Sequence, residues 1–194
     1  MTAKPLLLAS TSPQRPAILI QLGIPFDVEA PRYVEHDPPG LEPLALVRAH
    51  ALGKARSLVD RAQGRPILGV DTAVVLEGEV DGKPVDAGEA RTMLARLAGK
   101  THEVISGLCL LGEDWQELEH SVTLVTFRAL TETEIERYVA SDEWIGRAGA
   151  YAIQGLGAAL VERIEGDYLN VVGLPGALLV DVLAKRFPGV YGLG

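Results

Sequence analysis

The sequence predicts an α/β fold on a mixed sheet, and three observations carry that prediction. A short apolar run, Leu6–Ala9, leads straight into a helix start at Ser12-Pro13. Ile67–Leu76 is a ten-residue apolar run of strand-like composition. Thr101–Leu111 and Glu117–Arg128 flank a connection near Gly112–Asp114, as an antiparallel pair would.

In order along the chain, Leu6–Ala9 reads as a strand. Ser12 suits an N-cap and Pro13 a first helical position, so a helix is expected to run to Leu22 and stop at Gly23. Pro16 still falls in the first turn, where it breaks no hydrogen bond. Phe26–Ala30 reads as a second strand. The Pro-rich stretch Pro31–Pro43 is too long for a simple connector. A long helix is expected from Glu42 to Ala62, because Leu44, Val47, Ala51, Ala55, Leu58 and Val59 keep helical spacing.

The Ile67–Leu76 strand is then expected to turn at Gly82-Lys83-Pro84 and return a cation toward itself. Ala87–Leu97 reads as a helix closed by Gly99. Thr131-Glu132-Thr133-Glu134 is expected to cap a helix through about Ala140, its acids placed favourably against the N-terminal dipole. Ala158–Ile164 and Tyr168–Val172 are expected to form a hairpin about Gly166-Asp167. Pro175–Phe187 supplies a last helix, and the tail Pro188–Gly194 is expected to be loose. No internal repeat or low-complexity linker interrupts this order, so residues 1–194 read as one domain.

Composition narrows the function. The chain is 47% hydrophobic and 23% charged, the balance of an ordinary globular protein. A net charge of -8 argues against nucleic acid or an anionic membrane as a partner, since both need a basic face. A phosphorylated small molecule remains open, because a few local cations and a metal ion can reverse the field in one cleft. No run approaches a membrane span, and Leu6–Ala9 is too short for a signal-peptide core. The single Cys109, in an apolar run, reads as a buried inert thiol. Together these features suggest a reduced, cytoplasmic protein.

Chemistry concentrates in a few places. Asp71 is a carboxylate inside an apolar strand, where an unpaired charge costs several kcal/mol. It calls for a partner or a task, although capping a turn would also account for it. Ser10-Thr11-Ser12-Pro13-Gln14-Arg15 places hydroxyls, backbone N–H groups and a guanidinium at a strand-to-helix junction, a natural anion site. An ordinary cap with a solvated arginine explains the same residues. Lys54 sits at the edge of an apolar stripe, where a lysine can simply snorkel. Glu35, His36 and Asp37 lie in the Pro-rich loop, either solvated or touching a metal or sugar. His50 and His120 read as surface or hydrogen-bonded polar residues.

Several site types are excluded. His102-Glu103 lacks the second histidine of a zinc protease. Gly155-Leu156-Gly157 lacks the rest of a dinucleotide fingerprint, and no P-loop is present.

Taken together, LLLASTSPQR (Leu6–Arg15), Lys54-Ala55, GVDTAVVL (Gly69–Leu76) and GKPVD (Gly82–Asp86) resemble the Maf family of nucleoside triphosphate pyrophosphatases. The likeness continues through THEVISG (Thr101–Gly107), AGAYAIQGLG (Ala148–Gly157) and IEGDYLNVVGLP (Ile164–Pro175), nearly the whole chain. The resemblance implies an elongated two-lobed Maf/ITPase-like fold with flanking helices and a central cleft. It implies hydrolysis of a nucleoside triphosphate between the α and β phosphates, giving a monophosphate and pyrophosphate with Mg²⁺ or Mn²⁺.

By the same resemblance Asp71 matches the catalytic base, and Ser10, Arg15, Glu35, Lys54, Lys83 and Gln154 match other functional positions. Lys54 and Lys83 are expected to assist catalysis, Ser10, Arg15 and Glu35 to bind substrate, and Glu35 and Asp71 to be candidate metal ligands. Thr72 and Gln154 look like the branch acting on dTTP and UTP. Gln14 departs from the pattern, which has Arg, or Trp in a sister branch acting on 7-methyl-GTP, and so leaves the base preference open. A homodimer is expected on the resemblance alone. A second reading is a nucleotide-binding regulator of septum formation with little turnover.

Overall fold

The computed structural model describes residues 4–38 and 40–191. Strands β1 (Leu6–Ala9), β2 (Phe26–Glu29), β3 (Ile67–Leu76), β4 (Glu79–Asp81), β5 (Thr101–Leu111), β6 (Gln116–Phe127) and β7 (Val161–Glu165) form one sheet. Its order is β2-β1-β3-β5-β6-β7, with β4 paired to β3 beside this path. β1 runs parallel to β2 and β3, and all other pairs are antiparallel. The sheet is therefore mixed, as predicted. Helices α1 (Gln14–Gln21), α2 (Pro43–Arg56), α3 (Ala87–Leu97), α4 (Glu132–Val139), α5 (Tyr168–Val172) and α6 (Gly176–Arg186) flank it.

Two parallel crossovers explain the first half. Parallel strands need a crossover, so α1 joins the neighbours β1 and β2, and α2 carries the chain from β2 past β1 to β3 on its other side. Hairpins take over after β3. The first reverses at Glu77-Gly78, both with positive φ (56° and 84°), the backbone of a two-residue turn. The expected turn at Gly82-Lys83-Pro84 is thus corrected. Asp81 pairs with Val74, and Lys83 leaves the end of the return strand rather than its turn.

Both faces of β3 change company at the same dipeptide. On one face Leu68 and Val70 pack with α1 and α6, whereas Val74 and Leu76 pack with α3 and α4. Thr72 lies between those clusters. On the other face Ile67 packs with Ala51, Ala55 and Leu58, and Ala73 and Val75 pack with Val47. Asp71 falls where these part. Alternation of side chains along the strand thus gives each polar residue a gap between hydrophobic clusters.

α2 approaches the sheet closely because glycines lie beneath it. A Cβ on Gly107 would stand 2.4 Å from Val47 O, and one on Gly69 2.1 Å from Ala51 O. Gly107 pairs with Asp71 across β3 and β5, so this contact sets the height of α2 over the candidate base. Gly107→Ala is expected to cost about 1–3 kcal/mol through overpacking, a fall of roughly 2–12 °C in Tm. Thermal melting checks it; an unchanged Tm would mean that α2 is free to ride up.

Other boundaries differ from expectation for local reasons. α1 begins at Gln14 with Pro13 as a helical cap residue, because the Ser12 hydroxyl donates to Gln14 Oε1 (3.0 Å) rather than capping. α2 stops at Arg56, where Ser57 Oγ donates back to Lys54 O (2.7 Å); a 3₁₀ turn, Val59–Arg61, follows. The expected hairpin at Tyr168–Val172 is the helix α5. Asp167 Oδ1 accepts from Leu169 N (2.8 Å) and starts the helix, and β7 pairs with β6 instead. The tail is anchored through Tyr191, which is buried and donates to Lys4 O. Gly192–Gly194 lie outside the described residues. Cys109 is buried as expected, and burial pushes its thiol up to about 12.

Candidate active site

The sharpest feature is one ammonium shared by two carboxylates. Lys54 Nζ lies 2.5 Å from Asp71 Oδ1 and 2.7 Å from Glu35 Oε1. Lys54 itself is 8% exposed, held by α2 directly above the sheet. The snorkelling explanation therefore fails: the stem is buried and the head is buried with it. Burial pushes the Glu35 carboxyl upward, but the hydrogen bond and charge of Lys54, aided by His50 and Lys83, bring it below the usual carboxylate range. Among the described residues, Asp71 Oδ2 and Glu35 Oε2 have no hydrogen-bonding partner.

Behind this trio the β1–α1 junction supplies a second cation. Arg15 is buried, its Nε donating to Gly173 O (3.0 Å) and its Nη1 to Ser10 Oγ (3.2 Å). Ser10 Oγ also accepts from Ser12 N (3.1 Å), which tightens the loop. Burial lowers the Arg15 pKa, and Asp71 and Glu35 oppose that shift. Thr72 shares Gly173 O (3.4 Å) with Arg15 and bonds Ser106 Oγ (2.8 Å). The α5 end, β3 and α1 are tied at one carbonyl.

Ser10, Gln14, Arg15, Glu35, Lys54, Asp71, Thr72, Lys83 and Gln154 all line one cleft of about 810 Å³. Lys83 and Gln154 are exposed, on the segment after β4 and at the cap of the 3₁₀ turn Gly155–Leu160. Gln14 keeps its amide oxygen on Ser12 Oγ.

Four further residues line the cleft; sequence reasoning passed over Tyr33 and Arg147 and gave Asp37 and His50 no place in the site. Tyr33 Oη and Asp37 Oδ1 bind the two ring nitrogens of buried His50 at 3.1 and 2.8 Å. His50 is thus hydrogen-bonded, in line with one of its two expected readings. Burial, with Glu35 and Asp71, raises the Tyr33 pKa. Arg147 lines the cleft with Nε buried and without a partner, and no carboxylate stands within 4.0 Å of it among the described residues. Gly149 N donates to Gly82 O (3.1 Å), tying the Arg147 segment to the segment bearing Lys83. Only the folding of distant segments brings these residues in, so spacing carried no signal.

A profile of the family described as Maf-like protein matches residues 5–186. The chain belongs to the Maf-like family. Among its relatives, a protein of Symbiobacterium thermophilum is 46% identical over 93% of each chain. One of Gloeobacter violaceus is 47% identical over 93% of this chain and 95% of its own. One of Moorella thermoacetica is 46% identical over 96% and 97% respectively. All three are named dTTP/UTP pyrophosphatase. The Maf-like core defined by the profile contains every residue of the cleft discussed above.

The donor set suits a hard divalent ion only in part. Among the described residues no three His, Cys, Asp or Glu side chains gather as a ligand set. Two carboxylates, each with one uncommitted oxygen, nevertheless fit Mg²⁺ or Mn²⁺, which commonly take one or two carboxylates and complete their shell with phosphate oxygens and water.

Proposed function

We propose that this protein is a nucleoside triphosphate pyrophosphatase acting on dTTP and UTP, releasing the monophosphate and pyrophosphate. The observation that carries the reading is the Glu35–Lys54–Asp71 cluster inside a cleft that also presents Arg15, Lys83 and Arg147. The four cations of that cleft, Arg15, Lys54, Lys83 and Arg147, stand against four carboxylates, Glu35, Asp37, Asp71 and Asp81, so a polyanion calls for a divalent ion as well. The relatives' shared name points to the same substrates.

In the proposed reaction Asp71 Oδ2 takes a proton from a water molecule as that water attacks the α-phosphorus. Lys54 holds Oδ1, which fixes the direction of the other oxygen. The bond from the α-phosphorus to the bridging oxygen breaks, and pyrophosphate leaves with the electron pair. Arg15, Lys83 and Arg147 offset the charge that gathers on the phosphoryl oxygens and the leaving group. Glu35 would hold a divalent ion, leaving Asp71 Oδ2 free for the proton; such an ion when bound neutralises phosphate charge and acidifies water.

Gln14, Thr72 and Gln154 are assigned to base recognition. Gln154 offers both a donor and an acceptor to a pyrimidine edge, while an ionised glutamate only accepts. Gln154→Glu is expected to shift kcat/KM away from dTTP and UTP by about tenfold, the worth of about one hydrogen bond to the base. An unmoved preference would remove Gln154 from that role. The reading as a whole is tested by pyrophosphate release from a panel of triphosphates, with and without Mg²⁺ or Mn²⁺. Binding without turnover would overturn it in favour of a nucleotide-binding regulator.

A further inference from the structure

Between β2 and α2 the chain runs back along α2 as a strap. Arg32 N donates to Ser57 Oγ (3.0 Å), Glu35 pairs with Lys54, and Asp37 binds His50. As the strap advances from 32 to 37 its anchors step down the helix from 57 to 54 to 50. These anchors share one helical face, three or four residues apart. Tyr33 adds a bond to the same histidine, its ring seated over Gly53, where a Cβ would come 2.3 Å from Tyr33 Cε2. Glu35 is therefore bracketed by two residues that meet on one imidazole.

We infer that His50 is a positioning residue: by clamping Tyr33 and Asp37 at once it holds the strap on α2 and so sets Glu35 against Lys54. Each ring nitrogen has a partner. Nε2–H donates to the Asp37 carboxylate, and Nδ1 shares a hydrogen bond with the Tyr33 hydroxyl. The ring is 3% exposed, whereas the strap side chains on either side of it, Asp37 and Glu35, are 70% and 53% exposed. A lone exposed ion pair holds a loop weakly; the buried imidazole supplies the fixed point. The role in catalysis rests on Glu35 belonging to the substrate or metal side of the site, as proposed above.

The test joins proteolysis to a double-mutant cycle. His50→Leu fills much of the buried volume and removes both bonds. Trypsin cleavage after Arg32 is expected to accelerate about tenfold in this variant, from the loss of two hydrogen bonds that hold the strap closed. Its kcat/KM for the preferred triphosphate is expected to fall toward that of Glu35→Gln, and the double variant to lose no more than Glu35→Gln alone. Unchanged cleavage after Arg32, or losses that multiply in the double variant, overturns the inference, because a merely structural histidine would act independently of Glu35. Should His50→Leu fail to fold, Tyr33→Phe combined with Asp37→Ala breaks the same bonds from the strap side and is read in the same two ways. Wild-type protein that hydrolyses no triphosphate defeats the functional reading alone, since the cleavage rate still decides whether His50 holds the strap.

Discussion

Asp71→Asn is expected to lower kcat by about 10²–10⁴-fold, the range for losing a positioned general base. The amide keeps an oxygen for Lys54 and nearly the volume of the carboxylate, so the strand and its pairing with β5 should persist. Triphosphate binding should persist too, because Arg15, Lys83 and Arg147 are untouched. Single-turnover hydrolysis and calorimetric titration of the same variant separate these effects. Turnover close to wild type would take the base assignment from Asp71; lost binding with the fold intact would make it a substrate or metal ligand instead.

Lys54→Met is expected to be as damaging through electrostatics. The thioether fills the stem's space but leaves Glu35 and Asp71 facing each other without the ammonium that both contact. Removing a preorganised charge contact of this kind costs about 2.7–4 kcal/mol, or 10²–10³-fold in kcat. The acid limb of the pH–rate profile should also move. Burial already pushes Glu35 upward, and it is Lys54 that brings its pKa below the ordinary range. Without the lysine the carboxyl titrates at higher pH, so activity should fail earlier on acidification. For stability the sign is the same: a lowered folded-state pKa helps above the unfolded carboxylate value and that help is lost as pH falls through the folded value. The contribution is small, since Glu35 is half exposed and screened. An acid limb that stays in place would show that Lys54 does not tune this carboxylate.

Much of the fold was legible because its long elements are strongly patterned. β3, β5 and α3 announce themselves by apolar runs or helical spacing, and their ends coincide with Gly, Asp or Thr residues that stop or cap them. Errors fell where a single side chain decides. Asp167 turned an expected strand into α5 by capping its first turn, and Ser57 shortened α2 by bonding to a carbonyl within it. Such choices turn on about 1 kcal/mol, too little for periodicity to register.

Asp71 was readable at the site because a charge in an apolar run is conspicuous. Arg15 was readable because it follows a strand in a hydroxyl-rich loop. Tyr33, His50 and Arg147 were not. Each looks ordinary in its own segment and gains meaning only from partners 13 or more residues away, or from a cleft that three separate stretches enclose.

The change of company along β3 has a mechanical consequence. β3 and β5 run unbroken through hydrophobic clusters on both sides of the Asp71–Thr72 dipeptide, and that dipeptide pairs with Gly107 and Ser106. Any flexing of one cluster against the other turns about these residues as a fulcrum, where displacement is least. The carboxylate on that axis keeps its aim. The part of the cleft that must be most accurate is thereby the part that such flexing disturbs least.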